Sequence, residues 1–268
     1  MGPAPGEGGS MKLQGAVAVV TGSSSVTGIG AETAKGLAGR GAKVVVNYAT
    51  NEAGAEETAE ACAAAGGEAI TVKADVACDG DCRRLVSAAI DRWGRLDALV
   101  NNAAITRPIV QKDLEALDGA EFERIFSVNL IGNYQMTRAA APHLKRTGDG
   151  AVVNISSVGA WRAAGSSMAY CASKGALNTL TISFARVLAP EVRVNTICPG
   201  GLLGNWTRNI LGEEQYAERV REAETEFPLR RPVMPADVAE AAIWLIAGAG
   251  ANVMTGEIIR MDAGKHLG

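Results

Sequence analysis

The sequence predicts a doubly wound α/β fold, in which a parallel sheet of about seven strands carries helices on both faces. The first observation behind this prediction is the alternation of short apolar runs with longer segments of helical periodicity. The second is that these runs are continuously apolar, which is typical of parallel strands buried on both faces. The third is the length of 268 residues with 47% apolar composition and no visible linker or repeat, which favours a single domain over residues 11–268.

Seven segments have the length and composition of strands. They are, in chain order, residues 16–21, 43–48, 69–74, 96–101, 151–156, 192–197 and 257–261. Val and Ile recur in most of them, and β-branched side chains fit a pleated, buried surface. Helical patterns lie between the strands at residues 29–40, 51–65, 79–93, 121–146, 168–188 and 235–247.

Two segments stand apart from this alternation. Residues 1–10, MGPAPGEGGS, are rich in Gly and Pro without an apolar period, and they predict a disordered tail. Residues 200–231 form a long segment that follows the sixth strand. Long insertions in compact domains are usually functional, and ligands of open α/β sheets bind beyond the carboxyl ends of strands. We therefore expect residues 200–231 to form a substrate loop or lid.

Charge and rare residues argue against several classes of function. The net charge of −3 offers no basic excess for a nucleic acid, and the two histidines, His143 and His266, leave little material for a metal site. The longest purely apolar run, residues 241–251, is too short to cross a bilayer. The five scattered cysteines, without a secretory signal, favour reduced thiols and a cytoplasmic location.

The first predicted strand leads through a glycine-rich turn into a helix. The turn reads Thr21-Gly22-Ser23-Ser24-Ser25-Val26-Thr27-Gly28-Ile29-Gly30. Glycines let the backbone approach a pyrophosphate, and the helix N-terminus supplies free N–H groups and a positive dipole end. This context indicates a dinucleotide site, although a turn that only needs positive φ is the plainer alternative.

Tyr170 and Lys174 are four residues apart, so they share one face of a helix. A free tyrosine has a pKa of about 10, and a nearby ammonium lowers it by stabilising the phenolate. Such a pair exchanges protons near neutral pH. A helix-surface pair without function is the alternative when the two residues are taken alone.

Further motifs follow the glycine turn in order: Asn101-Asn102-Ala103-Ala104, Ser156-Ser157, Tyr170 with Lys174, and Pro199-Gly200. With them the sequence resembles the short-chain dehydrogenase/reductase family over residues 12–264. Within that family it looks most like reductases related to 3-oxoacyl-(acyl-carrier-protein) reductase and the bacterial glucose dehydrogenases. The resemblance implies a Rossmann-type fold and an NAD(P)(H)-dependent oxidoreductase that interconverts a carbonyl and a secondary alcohol by hydride transfer.

The resemblance also implies four catalytic residues. Tyr170 corresponds to the acid/base, and Lys174 to the residue that lowers its pKa and holds the nicotinamide ribose. Ser157, which lies 13 residues before Tyr170, corresponds to the serine that hydrogen-bonds the substrate oxygen. Asn129 corresponds to the asparagine of the proton-relay water. No metal is required for this chemistry.

The turn and the resemblance together define a predicted cofactor site. Its residues are Gly22, Ser24, Ser25, Gly28, Ile29, Gly30, Tyr48, Ala49, Thr50, Asp75, Val76, Asn102, Ala103, Ala104, Tyr170, Lys174, Pro199, Gly200 and Leu202. Three departures from the family pattern affect this site. Gly22 and Gly28 enclose five residues where the family has three, Ala104 replaces a glycine, and the threonine after Pro199-Gly200 is absent until Thr207.

The choice between the two cofactors depends on the end of the second strand. An acidic residue there binds the ribose 2′-OH of NAD and repels the 2′-phosphate of NADP. Tyr48 stands near that position, and neither an acid nor an arginine accompanies it. We therefore predict NADP(H) in preference to NAD(H), with Ser24, Ser25, Tyr48, Ala49 and Thr50 as candidate contacts.

The predicted substrate is a small carbonyl or alcohol compound of unspecified identity. Trp161, Arg162 and Met168, between the catalytic serine and tyrosine, are expected to border its pocket, with simple packing as the alternative. Trp206 and Phe227, in residues 200–231, are expected to belong to the lid. Trp244 lies in a helical pattern and is expected in the core.

Other functions and assemblies were weighed. A hydrolase built on Ser157 with His143 or His266 lacks the GxSxG elbow. A catalytically silent dinucleotide-binding sensor or scaffold would not require Ser157, Tyr170 and Lys174 together. The resemblance implies a homotetramer, or a homodimer, formed through residues 121–146 and 168–188 with the last helix and strand. No nucleic-acid or membrane partner is expected.

Overall fold

The fold is built on one parallel sheet of seven strands, which confirms the predicted doubly wound α/β class. The computed structural model describes residues 11–267, so the predicted disordered tail at residues 1–10 lies outside the described residues. The strand order is β3-β2-β1-β4-β5-β6-β7. The strands are β1 Val17–Val20, β2 Lys43–Tyr48, β3 Glu68–Lys73, β4 Ala98–Asn101, β5 Gly150–Ile155, β6 Val192–Pro199 and β7 Ile258–Met261.

Helices connect consecutive strands and cover the sheet. They are α1 Ile29–Ala38, α2 Glu52–Ala64, α3 Asp79–Trp93, α4 Gly119–Phe126, α5 Asn133–Thr147, α6 Gly159–Arg162, α7 Met168–Leu188, α8 Asn205–Thr225 and α9 Pro235–Ala247. Short 3₁₀ turns lie at Leu114–Ala116, Ala251–Val253 and Lys265–Leu267.

Alternation along the central strand divides the core into two layers. Ala18 and Val20 face a cluster that includes residues of α1, α2 and α9, whereas Val17 and Val19 face a cluster that includes residues of α3, α5 and α7. All four side chains are almost fully buried. Because both faces of β1 are covered, its sequence shows no polar alternation.

The predicted helix at residues 121–146 is interrupted by a π-helical turn. Helix α4 passes into this turn at Ser127–Gly132 and then continues as α5. Apolar periodicity does not reveal such a turn, because one extra residue hardly shifts the pattern. π turns are frequent at functional sites.

The segment expected to be a loop or lid at residues 200–231 is mostly helical. Helix α8 fills its centre and is broken at Gly212, where φ is 77°. The glycines and prolines that suggested a loop lie at the ends of the segment. Its interior is rich in Glu and Arg, which are good helix formers. Because so few of its residues are buried, the apolar stripe that identifies most helices is weak here.

Candidate active site

A large cleft opens at the carboxyl edge of the sheet. It is centred between β1 and β4, where the strand order reverses and the two following loops diverge. Its volume is about 1480 Å³. Pockets for one small ligand usually measure roughly 300–1,000 Å³. The cleft therefore has room for two ligands side by side.

The glycine-rich turn forms one end of this cleft. Gly22 has φ of +62°, and a Cβ added there would lie 2.7 Å from Cα of Ala103. A Cβ at Gly30 would lie 2.6 Å from Nδ2 of Asn102. No side chain caps the N-terminus of α1, so the first N–H groups of this helix remain available to a ligand. This close backbone approach and the uncapped helix end fit the pyrophosphate of a dinucleotide.

The two extra residues of the turn leave the start of α1 intact. Asn51 Nδ2 donates a hydrogen bond of 2.7 Å to the carbonyl oxygen of Ser24, and Lys35 Nζ donates one of 3.1 Å to that of Val26. Gly54 allows the approach, because a Cβ there would lie 2.1 Å from the Ser24 oxygen. The lengthened loop therefore packs against the N-terminus of α2.

The predicted cofactor residues line the cleft with one exception. The lining includes Gly22, Ser24, Ser25, Gly28, Ile29, Gly30, Ala49, Thr50, Asp75, Val76, Asn102, Ala103, Ala104, Tyr170, Lys174, Pro199, Gly200 and Leu202. Tyr48 is outside the lining. Its hydroxyl donates a 2.6 Å hydrogen bond to Glu52, so it is turned toward α2. Asn47 and Thr27, which the sequence analysis did not select, line the cleft as well.

Tyr170 and Lys174 lie in the first two turns of α7. Ser167 caps this helix by accepting the backbone N–H of Tyr170 at 3.2 Å. Lys174 is only 2% exposed, and its Nζ lies 5.7 Å from the Tyr170 ring centroid. That ammonium donates a 2.8 Å hydrogen bond to the carbonyl oxygen of Ile155 at the end of β5. The lysine is thus held by the sheet, beside the tyrosine.

The two adjacent serines have different roles. Ser156 Oγ donates to the backbone oxygen of Lys174 at 3.1 Å and is buried. Ser157 Oγ accepts the N–H of Gly159 at 3.0 Å and lines the cleft, where it also hydrogen-bonds the Tyr170 side chain. Because this hydrogen bond lowers the pKa of Tyr170, Ser157 donates its hydroxyl proton to the phenolic oxygen in the ligand-free protein. The structure brings Ser157, not Ser156, together with the tyrosine.

Burial favours the uncharged form of both Tyr170 and Lys174. Desolvation raises the pKa of Tyr170 to about 12, and the hydrogen bond from Ser157 opposes this only in part. Desolvation lowers the pKa of Lys174 to about 8. The pKa of Tyr170 in the ligand-free protein therefore moves opposite to the predicted direction. The nearby ammonium favours the phenolate, but the desolvation that both residues share outweighs it.

This burial predicts a pH-dependent stability. The unfolded chain keeps the Lys174 proton up to about pH 10.5, whereas the folded protein releases it above about pH 8. Because the unfolded state binds more protons at this group in this window, the contribution of Lys174 to the free energy of unfolding is expected to rise with pH there. One pKa unit corresponds to about 1.4 kcal/mol, so the gain is on the order of 3 kcal/mol. Urea unfolding across this pH range measures it.

The matched control for this prediction is Lys174→Met, which should lack the rise. Buried thiols such as Cys62 and Cys82 have a raised pKa and act in the opposite sense above about pH 9. Subtracting the free energy of unfolding of the variant from that of the wild-type protein removes the contribution of these thiols. Equal slopes in the two proteins would contradict the assignment to Lys174.

Asn129 lies in the π-helical turn and is fully buried. Its side chain accepts the N–H of Ile105 at 2.8 Å and donates to the carbonyl oxygen of Ile105 at 3.0 Å and to Ser173 Oγ at 3.1 Å. Ser173 in turn donates to the backbone oxygen of Tyr170 at 2.7 Å. Asn129 does not line the cleft, so its contact with the tyrosine runs through Ser173.

Three of the five predicted substrate-pocket residues line the cleft. Trp206 and Phe227 do so from α8 and the turn that follows it, and Arg162 does so from the end of α6. Trp161 and Met168 lie outside the lining and are 44% exposed, so the prediction that they border the pocket is not supported by the geometry. Trp161 instead packs under the guanidinium of Arg260 at 4.7 Å.

The sequence analysis missed the wall that follows β4. Its cleft-lining residues are Ile105, Pro108, Ile109, Val110 and Gln111. Ile109 N–H donates to the oxygen of Ser166 at 2.8 Å, so this wall is tied to the segment before α7. The sequence feature that could have identified this wall is its position directly after the Asn102-Ala103-Ala104 motif.

Two negative findings hold for the part of the chain that the structure describes. Within residues 11–267 no group of three or more His, Cys, Asp or Glu side chains is arranged to hold a metal ion. Within the same range no helix combines the length and hydropathy needed to span a membrane.

Comparisons with known proteins agree with this geometry. Residues 22–266 match the family model described as Enoyl-(Acyl carrier protein) reductase. A protein of Streptomyces violaceoruber named as a ketoacyl reductase of the granaticin polyketide synthase is 44% identical over 251 residues, covering 94% of this chain and 96% of its own.

Solved structures give the same result. A protein from Burkholderia xenovorans, named as a short-chain dehydrogenase/reductase, has a TM-score of 0.86 at 41% identity, covering 95% of this chain and 99% of its own. The 3-ketoacyl-(acyl-carrier-protein) reductase of Brucella melitensis, complexed with NADH, has a TM-score of 0.82 at 33% identity, covering 94% and 99%. The sheet, the motif order and these matches agree, and the chain belongs to the short-chain dehydrogenase/reductase family of oxidoreductases.

Proposed function

We propose that this protein is an NADP(H)-preferring oxidoreductase that interconverts a carbonyl group and a secondary alcohol. Tyr170 is the acid/base, Ser157 binds the reacting oxygen, and Lys174 and Asn129 support the tyrosine. The observation that carries the proposal is the placement of Ser157 and Tyr170 in one cleft with the uncapped N-terminus of α1. The end of the cleft at α1 suits a dinucleotide, and the other end presents the hydroxyl groups of Ser157 and Tyr170.

The proposed mechanism assigns a task to each side chain. When bound, the nicotinamide supplies or accepts the hydride. On substrate binding, Ser157 donates its hydroxyl proton to the carbonyl oxygen instead of the Tyr170 oxygen, while its own oxygen still accepts the N–H of Gly159. Tyr170 donates its phenolic proton to the same oxygen as negative charge develops there. Since burial keeps this phenol protonated, the free protein is prepared for the reduction direction.

Lys174 has two tasks in this proposal. Its ammonium stabilises the phenolate that remains after proton transfer, which the desolvated surroundings alone would disfavour. Its hydrogen bond to Ile155 fixes its position at the carboxyl end of β5. Asn129 acts as a positioning residue, because it joins Ile105 of the cleft wall to Ser173 behind the tyrosine.

The preference for NADP(H) is supported by the end of β2. Ala49 and Thr50 line the cleft there, together with Ser24 and Ser25 of the lengthened loop. None of these side chains carries a negative charge that would repel a 2′-phosphate, and three carry hydroxyl groups that can bind one. The Brucella melitensis relative was solved with NADH, so relatives alone do not fix the choice.

Thermal unfolding with each cofactor tests this proposal. At 100 times its Kd, a ligand adds about 2.7 kcal/mol to the free energy of unfolding. We expect NADPH to raise the Tm more than NADH at matched concentration, and the protein to oxidise NADPH when a suitable ketone is added. A larger shift with NADH would overturn the cofactor preference, and no shift with either would overturn the dinucleotide site.

Ala49→Asp is expected to reverse the cofactor preference. The new carboxylate would stand at the end of β2, where it accepts a hydrogen bond from a ribose 2′-OH and repels a 2′-phosphate. Tyr48→Phe is the matched control, since the Tyr48 hydroxyl is turned toward Glu52 and away from the cleft. Kd values for both cofactors measure the effect. A variant that still prefers NADPH would show that the 2′ group lies elsewhere.

The proposed assembly is a homotetramer, or a homodimer. Apolar side chains that a lone chain would leave in water support it: Phe122, Ile131, Tyr134, Ile182, Val187 and Trp244. They lie on α4 and its π turn, α5, α7 and α9, the elements named for assembly by the sequence resemblance. Trp244, expected in the core, is 41% exposed and is therefore available to such an interface.

A further inference from the structure

The cleft is more basic than the chain that builds it. Among the described residues that line it, five are cationic and two are carboxylates, although the whole chain has a net charge of −3. The cations are Arg124, Arg162, Lys174, Arg219 and Lys265, and the carboxylates are Asp75 and Glu222. A concave site with an excess of one charge concentrates ligands of the opposite charge.

Most of these cations are already engaged within the protein. Arg124 forms a bidentate pair with Glu121 at 2.9 and 2.8 Å. Arg219 and Lys265 both bind Glu222, at 2.7 and 2.5 Å. Lys174, as described above, is bound to the end of β5. These side chains have limited capacity left for a ligand.

Arg162 is different from the other cations. Within residues 11–267 its guanidinium has no hydrogen-bond or ion-pair partner, and the side chain is exposed at the cleft. A guanidinium presents five donors in a planar fork that matches the two oxygens of a carboxylate or phosphate. Arg162 therefore has its full donor capacity available where a ligand would lie.

The backbone that follows Arg162 turns toward Tyr170. Arg162 ends the short helix α6, five residues after Ser157. Ala163 then adopts the left-handed conformation, with φ of 50°, which residues with a Cβ rarely do. The chain turns back so that a Cβ at Gly165 would lie only 3.8 Å from Cδ1 of the Tyr170 ring. Such backbone strain is often found at ligand sites.

A second arginine contacts the residue that precedes Arg162. Arg260 of β7 stacks on Trp161, with its guanidinium carbon 4.7 Å from the ring centroid. Arg260 and Trp161 both lie outside the cleft lining, so Arg162 is the cation of this segment that a ligand in the cleft would meet.

We propose that Arg162 is a specificity-determining residue that binds an oxyanion on the substrate. The substrate class is then a carbonyl compound that also carries a carboxylate or a phosphate group, with its carbonyl at Ser157 and Tyr170 and its anion at Arg162. This inference rests on the proposed function, because it assumes that the carbonyl end binds at those two hydroxyls. Apolar residues of the lining, including Ile109 and Trp206, suit the carbon chain between the two groups.

The test measures binding to protein that is loaded with oxidised cofactor. The ligands are medium-chain oxo acids, their methyl esters and the matching oxoalkyl phosphates, so that charge changes while the carbon chain stays constant. The proteins are wild type, Arg162→Gln, Arg162→Lys and Arg107→Gln. Arg107 is the matched control, because it is an exposed arginine outside the cleft lining.

We expect wild type to bind the best acid or phosphate roughly tenfold more tightly than the neutral ester, as a charge-assisted bidentate contact would give. Arg162→Gln should abolish this preference, and Arg107→Gln should keep it. Arg162→Lys should keep part of it, because the charge remains without the fork. Added salt should weaken binding of the anions and not of the ester. The ratio of the Kd of the oxo acid to that of the oxoalkyl phosphate then shows which anion the site prefers.

Several results would overturn the proposal: equal binding of anion and ester by wild type, an unchanged preference in Arg162→Gln, or no binding of any anionic member of the series. Steady-state reduction of the same compounds separates this failure from that of the proposed function. If the neutral esters are reduced without an anion preference, the oxidoreductase assignment stands and the Arg162 assignment falls. If the anions bind through Arg162 but no member is reduced, the anion site stands and the reaction assignment falls.

Discussion

Replacing Tyr170 with phenylalanine is expected to lower carbonyl reduction by roughly 10²- to 10⁴-fold, the range typical of a lost acid/base group. The ring and its packing stay, but the proposed proton donor is removed. Cofactor binding should change little, since the glycine turn and the start of α1 are untouched. Single-turnover oxidation of bound NADPH, together with its Kd, measures both quantities.

Tyr134→Phe is the matched control for this experiment. Tyr134 is 42% exposed on α5, and its loss should leave turnover unchanged. Near-normal reduction by the Tyr170→Phe variant would remove the tyrosine from the mechanism. If both variants and the wild-type protein bind cofactor without reducing any carbonyl compound, the catalytically silent sensor or scaffold becomes the better description.

In the proposed mechanism, the ionisation of Tyr170 makes the favoured direction of the reaction depend on pH. Reduction needs the protonated phenol, which burial favours in the ligand-free protein by raising its pKa to about 12. Oxidation of the alcohol needs the phenolate, which becomes more abundant as the pH rises. Lys174 stabilises that phenolate only while it is charged, and its own pKa is lowered to about 8.

The second large effect is expected for Gly22→Ala. This residue combines φ of +62° with a predicted contact of 2.7 Å between the new Cβ and Cα of Ala103. The backbone of the turn or of the Asn102-Ala103 segment must move, and both line the cofactor end of the cleft. We expect a loss of more than about 3 kcal/mol in the free energy of unfolding, because conformational strain and overpacking add. Cofactor affinity should fall at least tenfold.

Gly15→Ala separates these two causes. Gly15 also has a positive φ, +78°, but no atom lies within 4 Å of the position of its Cβ. It is also outside the cleft lining. This variant should lose only the conformational contribution, about 1–2 kcal/mol, and keep normal cofactor binding. Urea unfolding and cofactor titration of both variants make the comparison. Equal losses in the two variants would mean that the contact with Ala103 is relieved without cost.

Much of the fold could be read from local sequence patterns. The seven strands were predicted to within a few residues, because continuous Val and Ile runs flanked by polar turns identify buried parallel strands without knowledge of their neighbours. Helix α8 was the exception. Its residues favour a helix, but it covers the cleft with few buried side chains, so the periodic apolar stripe that identifies helices was weak.

The residues of the candidate site that belong to sequence motifs were predictable. The glycine turn and the spacing of Ser157, Tyr170 and Lys174 identified groups that the structure does bring to one cleft. Side-chain directions were not predictable in the same way. Tyr48, the last residue of β2, turns toward Glu52 at the start of α2, and Trp161 turns toward Arg260 of a distant strand.

By itself, the sequence determined the α/β class, the number of strands and the residues available for chemistry, since these depend on short-range periodicity and spacing. Only the tertiary structure decided the ionisation of Tyr170 and Lys174, because desolvation depends on what packs around them. It also decided that Arg162 has no side-chain partner among residues 11–267, while Arg124 and Arg219 are paired. Both are properties of the whole surroundings of a group, and a linear pattern does not contain them.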